Sequence, residues 1–281
     1  MKKQIILSGG ALAILLALFF FGKTTPEKTP KANNLPQKEI SFNIQDYTKQ
    51  LIQKLPASQS GYITALENSI KRGDVAKQEI DVNEAIAKFW NDSAKQFEPY
   101  IYYLSFAAKL ENSEKKLTFA ARLLEEYLRN EQDIPKRVWM ADEAISLFEK
   151  AIQHDSLDKS LVVDMGSCYI YGYAAVGKAD KAMKGILMLK DIADKDSLNL
   201  KANLLVGVGG VISGQYDKAI SRLTRVVSNQ PDNAEAMSYL AEAYAGKGDK
   251  GEAVKWFELS KKVANNPEYS KAVDQRIKDL K

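Results

Sequence analysis

The chain has 281 residues, 45% of them hydrophobic, and a formal net charge of +4. That is apolar material for one elongated array or two small domains, and the basic charge is too small and scattered for a nucleic-acid footprint. One cysteine (Cys168) and one histidine (His154) exclude a disulfide framework and any Cys/His zinc cluster made by this chain alone, and no cofactor or metal is expected.

Lys2 and Lys3 precede an uncharged run from Gln4 to Gly22, which Lys23 closes. At 1.5 Å per residue this run spans roughly 28 Å, enough for a bilayer core. It ends Ala17-Leu18-Phe19-Phe20-Phe21-Gly22, bulky where a cleavage site wants small residues, so residues 1–22 read as an uncleaved transmembrane anchor. Cleavage is the alternative. Residues 23–39 carry Pro26, Pro30 and Pro36 among polar residues and read as a disordered tether.

Residues 40–115 are helical in pattern, without a clear repeat. Asp46 can cap a short helix through Leu55, and Ser58 to Arg72 places Tyr62, Leu66 and Ile70 at four-residue spacing. Asp81 opens a helix with Ala85, Ile86, Phe89 and Trp90 inward. Glu98-Pro99 opens another, with Tyr102, Tyr103, Phe106, Ala107 and Leu110 as its apolar face.

From residue 116 to 267 the chain repeats itself. Segments 200–233 and 234–267 run in step at a period of 34: Val206 falls on Leu240, Gly207 on Ala241, Ala219 on Ala253, Leu223 on Phe257, Val226 on Ser260. Each segment predicts two helices with a break between them. Met237, Leu240, Ala241 and Tyr244 share one face of the first, Lys247-Gly248-Asp249 interrupts, and Ala253, Trp256, Phe257 and Ser260 line the second. Small residues let the two helices approach, and Leu223 or Phe257 fills the remaining space.

The pattern extends upstream. Leu117–Leu128 with Pro135–His154 gives a degenerate first unit, and the next pairs Met165, Gly166 and Tyr169 with Ala182, Ile186 and Leu189. Ala144, Ala182, Ala219 and Ala253 are separated by 38, 37 and 34 residues, so the second unit carries extra residues near 171–176 and before Asp196. Whether these lengthen helices or bulge is open. Residues 268–281 predict a capping helix with Ala272, Val273 and Ile277 inward, as the open end of a solenoid requires.

These residues resemble the tetratricopeptide-repeat (TPR) family, with Gly210 departing where the family has an aromatic and Tyr244 standing in the next unit. The resemblance implies an all-α, TPR-like helix–turn–helix superhelix (an α-solenoid) behind the N-terminal transmembrane helix and tether. The whole is similar to bacterial membrane-anchored TPR proteins. It implies a single-pass protein of the bacterial inner (cytoplasmic) membrane, held through residues 4–22 with its C-terminal region outside and acting as a scaffold for a protein or peptide partner. A secreted or periplasmic carrier or chaperone is the alternative, and an enzyme with an unseen acid/base site comes third.

Chemistry-bearing motifs are scarce. Gly207, Gly209, Gly210 and Gly214 mimic a dinucleotide loop, but no strand precedes them and Ile212 stands where the third glycine belongs. His154 ends a helix and Cys168 has no base near it in sequence, so no catalytic residue is expected.

In the resembled family, first helices line the concave surface, and carboxylate-clamp members carry Lys and Asn at the fifth and ninth positions. Here Val163, Leu204 and Ser238 stand at the fifth, and Ser167, Val208 and Glu242 at the ninth, so an apolar partner segment is expected instead. Leu204, Val208 and Val211 form an i, i+4, i+7 stripe on a helix apolar nearly all round. That stripe is either groove or core. With Ile170, these residues (Val163, Ser167, Ile170, Leu204, Val208, Val211, Ser238, Glu242) are the candidate partner-binding set.

Overall fold

Five of the eight helix starts in the repeat region are set by short polar side chains that accept from the first turn they open. Asp133 accepts from the Lys136 amide at 2.9 Å, Asp158 from Ser160 at 2.7 Å, Asn199 from Ala202 at 3.0 Å, Asn233 from Ala236 at 2.8 Å and Asp249 from Glu252 at 3.1 Å. Each satisfies an amide that helix geometry leaves without a partner. Asn199→Ala is expected to lower stability by about 1 kcal/mol, read as a lower urea midpoint at unchanged slope. An unchanged midpoint would show the cap to be idle.

The computed structural model describes residues 41–70 and 74–280. The expected anchor (1–22) and tether (23–39) lie outside the described residues. Residues 41–281 form one compact unit, and its described part holds thirteen α-helices and no strand. Five are α1 (Ile44–Lys54), α2 (Ala57–Glu67), α3 (Val75–Phe89), α4 (Phe97–Glu111) and α5 (Glu114–Leu128). Then come α6 (Ile134–His154), α7 (Lys159–Tyr173), α8 (Ala179–Lys195), α9 (Leu200–Ile212) and α10 (Tyr216–Asn229). The last three are α11 (Ala234–Lys247), α12 (Lys250–Ala264) and α13 (Pro267–Leu280).

The helices stack as hairpins: α5 with α6, α7 with α8, α9 with α10, α11 with α12, preceded by a further pair, α3 with α4. Each second helix also packs on the first helix of the following unit. Within α5–α12 the first helices touch one another in turn (α5 on α7, α7 on α9, α9 on α11), and the second helices of these four units make no comparable contact. The array therefore curves with its first helices inside.

Spacing by small residues is what the packing uses. Ala144, Ala182, Ala219 and Ala253 are all buried, beside the buried Phe148, Leu189, Leu223 and Phe257. Gly248 adopts φ 91°, a left-handed conformation that glycine takes without strain, so α11 can stop and Asp249 can cap α12. The extra residues of the second unit take both forms. Ala174–Val176 make a 3-10 turn after α7, and α8 runs to Lys195.

Several faces differ from the sequence reading. In α4 the buried residues include Ile101, Ser105 and Ala108 as well as Ala107, while Phe106 and Leu110 are exposed. The helix is apolar around most of its circumference, so its neighbours α3 and α5 select the buried face. In α2 Ile63 is buried and Tyr62 exposed, its ring 5.8 Å from Phe89. Helix α3 starts at Val75, capped by Asp74, earlier than the expected Asp81. In α13 Val273, Ile277 and Leu280 face inward and Ala272 faces out.

The localisation expected from the sequence is corrected: among the described residues, no helix is long and apolar enough to cross a membrane.

Candidate functional site

The inner face is built from residues three and four apart on the first helices. Arg122, Glu125 and Arg129 rise from α5 and its end; Asp164, Ser167 and Tyr171 follow on α7; Lys201 opens α9; Glu235 opens α11. Together they form a ladder of ion pairs across the units. Arg122 Nε lies 2.7 Å from Asp164 Oδ2, and Lys201 Nζ lies 2.6 Å from Asp164 Oδ1 and 3.4 Å from Glu125 Oε1. Arg129 Nη2 donates to Glu125 Oε1 at 2.7 Å, and Ser167 Oγ donates to the same oxygen at 2.6 Å.

Arg129 also reaches across the curve, its Nη1 3.3 Å from Glu235 Oε2. These residues are 106 apart in sequence, so the first unit touches the fourth. Tyr171 completes the contact: its hydroxyl donates to Glu235, and the Arg129 guanidinium sits 4.9 Å from its ring centre. Burial, then the Glu235 carboxylate, push the Tyr171 hydroxyl far above its ordinary range, so it stays a donor. Burial opposes charge on Glu125, but Arg129, Lys201 and the Ser167 hydroxyl outweigh it and hold its carboxyl below the usual range.

Beside this contact a cavity of about 760 Å³ opens on the inner face. Ile170 and Tyr171 of α7, Val208 and Ile212 of α9, and Ser238 and Tyr239 of α11 form much of its wall. Ala174 and Ala175 of the 3-10 turn, Arg129, Arg137 and Glu235 edge it, and Tyr269 stands at the α12–α13 end. A mostly apolar, aromatic concavity with a few polar groups is the usual form of a binding site. A second cleft, about 570 Å³, lies between second helices α8 and α10, lined by Met183, Leu187, Val206 and Lys218 among others.

Of the sequence-predicted residues, Ile170, Val208 and Ser238 line the cavity. Val163 and Leu204 do not: they are 3% and 6% exposed, packed into the core between the second and third units. Ser167 is buried as the Glu125 donor. Val211 is half-buried against the same core, and its neighbour Ile212 takes the cavity position. Glu242 accepts both nitrogens of a bidentate Arg276 contact at 2.8 and 2.7 Å, tying α11 to α13. Leu204 and Val211 share one physical reason. Helix α9 is covered from both sides, so most of its apolar stripe is core and only one edge meets the cavity.

Arg129, Arg137, Tyr171, Glu235 and Tyr239 were missed. The i, i+4 pair Glu235–Tyr239 signals a shared face of α11, but the partnership with Arg129 is non-local and leaves no trace in one helix. Cys168 is fully buried and burial pushes its thiol up, so it is no ready nucleophile. Among the described residues, no three metal-ligating side chains gather.

Comparison with known proteins agrees with this architecture. Residues 211–275 match the tetratricopeptide-repeat family model. The solved structure of TTC0263, a thermophilic TPR protein of Thermus thermophilus, shares 14% identity over 72% of this chain and 98% of its own, with a TM-score of 0.50. MamA shares 18% over 67% of this chain and 93% of its own, at a TM-score of 0.46. YrrB, described as a TPR protein with an unusual peptide-binding site, shares 16% over 75% and 96%, at 0.44. No curated protein matches the chain. By sequence, residues 211–275 carry tetratricopeptide repeats, and the stacked helical hairpins share the fold of TTC0263.

Proposed function

We propose that this chain is a protein-interaction scaffold that receives an apolar side chain of a partner segment in the cavity of its inner face. The observation that carries the reading is the cavity itself: about 760 Å³ with walls drawn from α7, α9 and α11. A site spread over several units can hold an extended segment, and burying an apolar side chain there removes surface from water at about 25 cal/mol per Å². Arg129, Tyr171 and Glu235 hold one edge rigid, which lowers the ordering cost of binding.

Selection of a random peptide library on the full chain supplies a ligand for the test. Ala175→Trp puts a bulky ring into the cavity from an exposed position on the 3-10 turn, away from the core. Selected peptides are expected to lose about tenfold or more in affinity for this variant while its melting temperature is kept. Equal affinity for both proteins would place the binding surface elsewhere.

A further inference from the structure

The charges around the cavity do not cancel evenly. Three charged side chains line it, Arg129, Arg137 and Glu235, and the first and third are paired with each other. Arg129 is further neutralised from behind by Glu125. Arg137 is different. Its Nε and Nη2 donate to the main-chain carbonyl of Glu131, and among the described residues no carboxylate lies within ion-pair distance of it. The carbonyl fixes the guanidinium from one side without neutralising it, and the group is half-buried at the start of α6.

A fixed, half-buried cation beside an apolar wall is a place where an anion gains more than it would in open water. We infer that the cavity selects an apolar side chain lying next to an acidic side chain within a partner segment, with Arg137 as the residue that reads the acid. The inference rests on the cavity being the docking site. The acid is an internal Asp or Glu rather than a chain terminus. Arg137 stands at the edge of the cavity, whose walls come from three successive first helices, α7, α9 and α11.

The test uses the full chain and a random peptide library displayed with its C-terminus fused to the carrier, so no free terminal carboxylate is offered. On the unmodified protein the recovered peptides are expected to share an aliphatic or aromatic residue with Asp or Glu one or two positions away. On Arg137→Gln the apolar preference is expected to persist and the acidic one to vanish, and Arg137→Lys is expected to retain part of it. For one recovered peptide made synthetically with blocked ends, changing its acid to the amide or changing Arg137→Gln should each weaken binding about tenfold. The two changes together should add little, because both delete one contact.

Apolar enrichment without an acid, or an acidic preference unchanged in Arg137→Gln, overturns this inference and leaves the cavity reading standing. Peptides held equally well by Ala175→Trp, or no enrichment at all, overturn the cavity reading and this inference with it.

Discussion

Glu125→Ala is expected to lower the stability of the array by about 3 kcal/mol or more. The carboxylate takes Ser167 at 2.6 Å, Arg129 at 2.7 Å and Lys201 at 3.4 Å, with its side chain 10% exposed. Removing it takes the nearer carboxylate from a mostly buried Arg129 and leaves the Ser167 hydroxyl without that acceptor. Arg129 keeps Glu235 and Lys201 keeps Asp164, which sets the loss at the lower end of the range for a broken buried pair. The effect depends on pH with a definite sign. The folded carboxyl titrates below its ordinary value of 4.5, so its contribution is complete above that pH and is lost as pH falls through the folded value. Glu125→Gln keeps the shape and removes the charge. The gap between the native chain and Glu125→Gln in urea unfolding should be constant from about pH 7 to about pH 5 and should narrow as the pH falls further, closing once the folded carboxyl is protonated. A gap that stays open in acid would show that shape, not charge, is what the site uses.

Gly172→Val is expected to be comparably damaging, about 3 kcal/mol. A Cβ on Gly172 would stand 2.3 Å from Ala141 Cβ and 3.7 Å from Ala141 Cα. The obstacle is the body of α6 rather than the end of a flexible side chain, so the helices must separate. Gly172→Ala gains roughly 0.5–1 kcal/mol of helix propensity, but the same overlap outweighs it and the melting temperature should fall. Adding Ala141→Gly to Gly172→Ala removes the clash and should recover most of the loss. A rise in melting temperature for Gly172→Ala alone would contradict the close approach of α6 and α7.

The repeat is legible because it is local. Ala219 and Ala253 stand one period apart, both buried, and Leu223 and Phe257 fill equivalent spaces beside them. Gly248 and Asp249 announce a break that the backbone makes at that position. Which face of an all-round apolar helix is buried is not local. Phe106 and Leu110 fit a helical stripe as well as Ile101 and Ala108 do, and only the placement of α3 and α5 decides between them. The inner face fails for the same reason. The Leu204–Val208–Val211 stripe is real, but the second helices and adjacent first helices cover most of it. Apart from the i, i+4 pair Glu125–Arg129, the polar ladder joins residues 37 to 106 positions apart, so no helix displays it alone.

Photocrosslinking from defined positions on the full chain tests the central claim most directly. Benzoylphenylalanine replaces Ser238 in the wall of the inner cavity in one protein and Leu187 in the outer cleft in another. Each is irradiated with the same library-selected peptide. A peptide seated in the inner cavity should be captured from Ser238, lost when Ala175→Trp is added, and absent from Leu187. Capture from Leu187 with none from Ser238 would contradict the account.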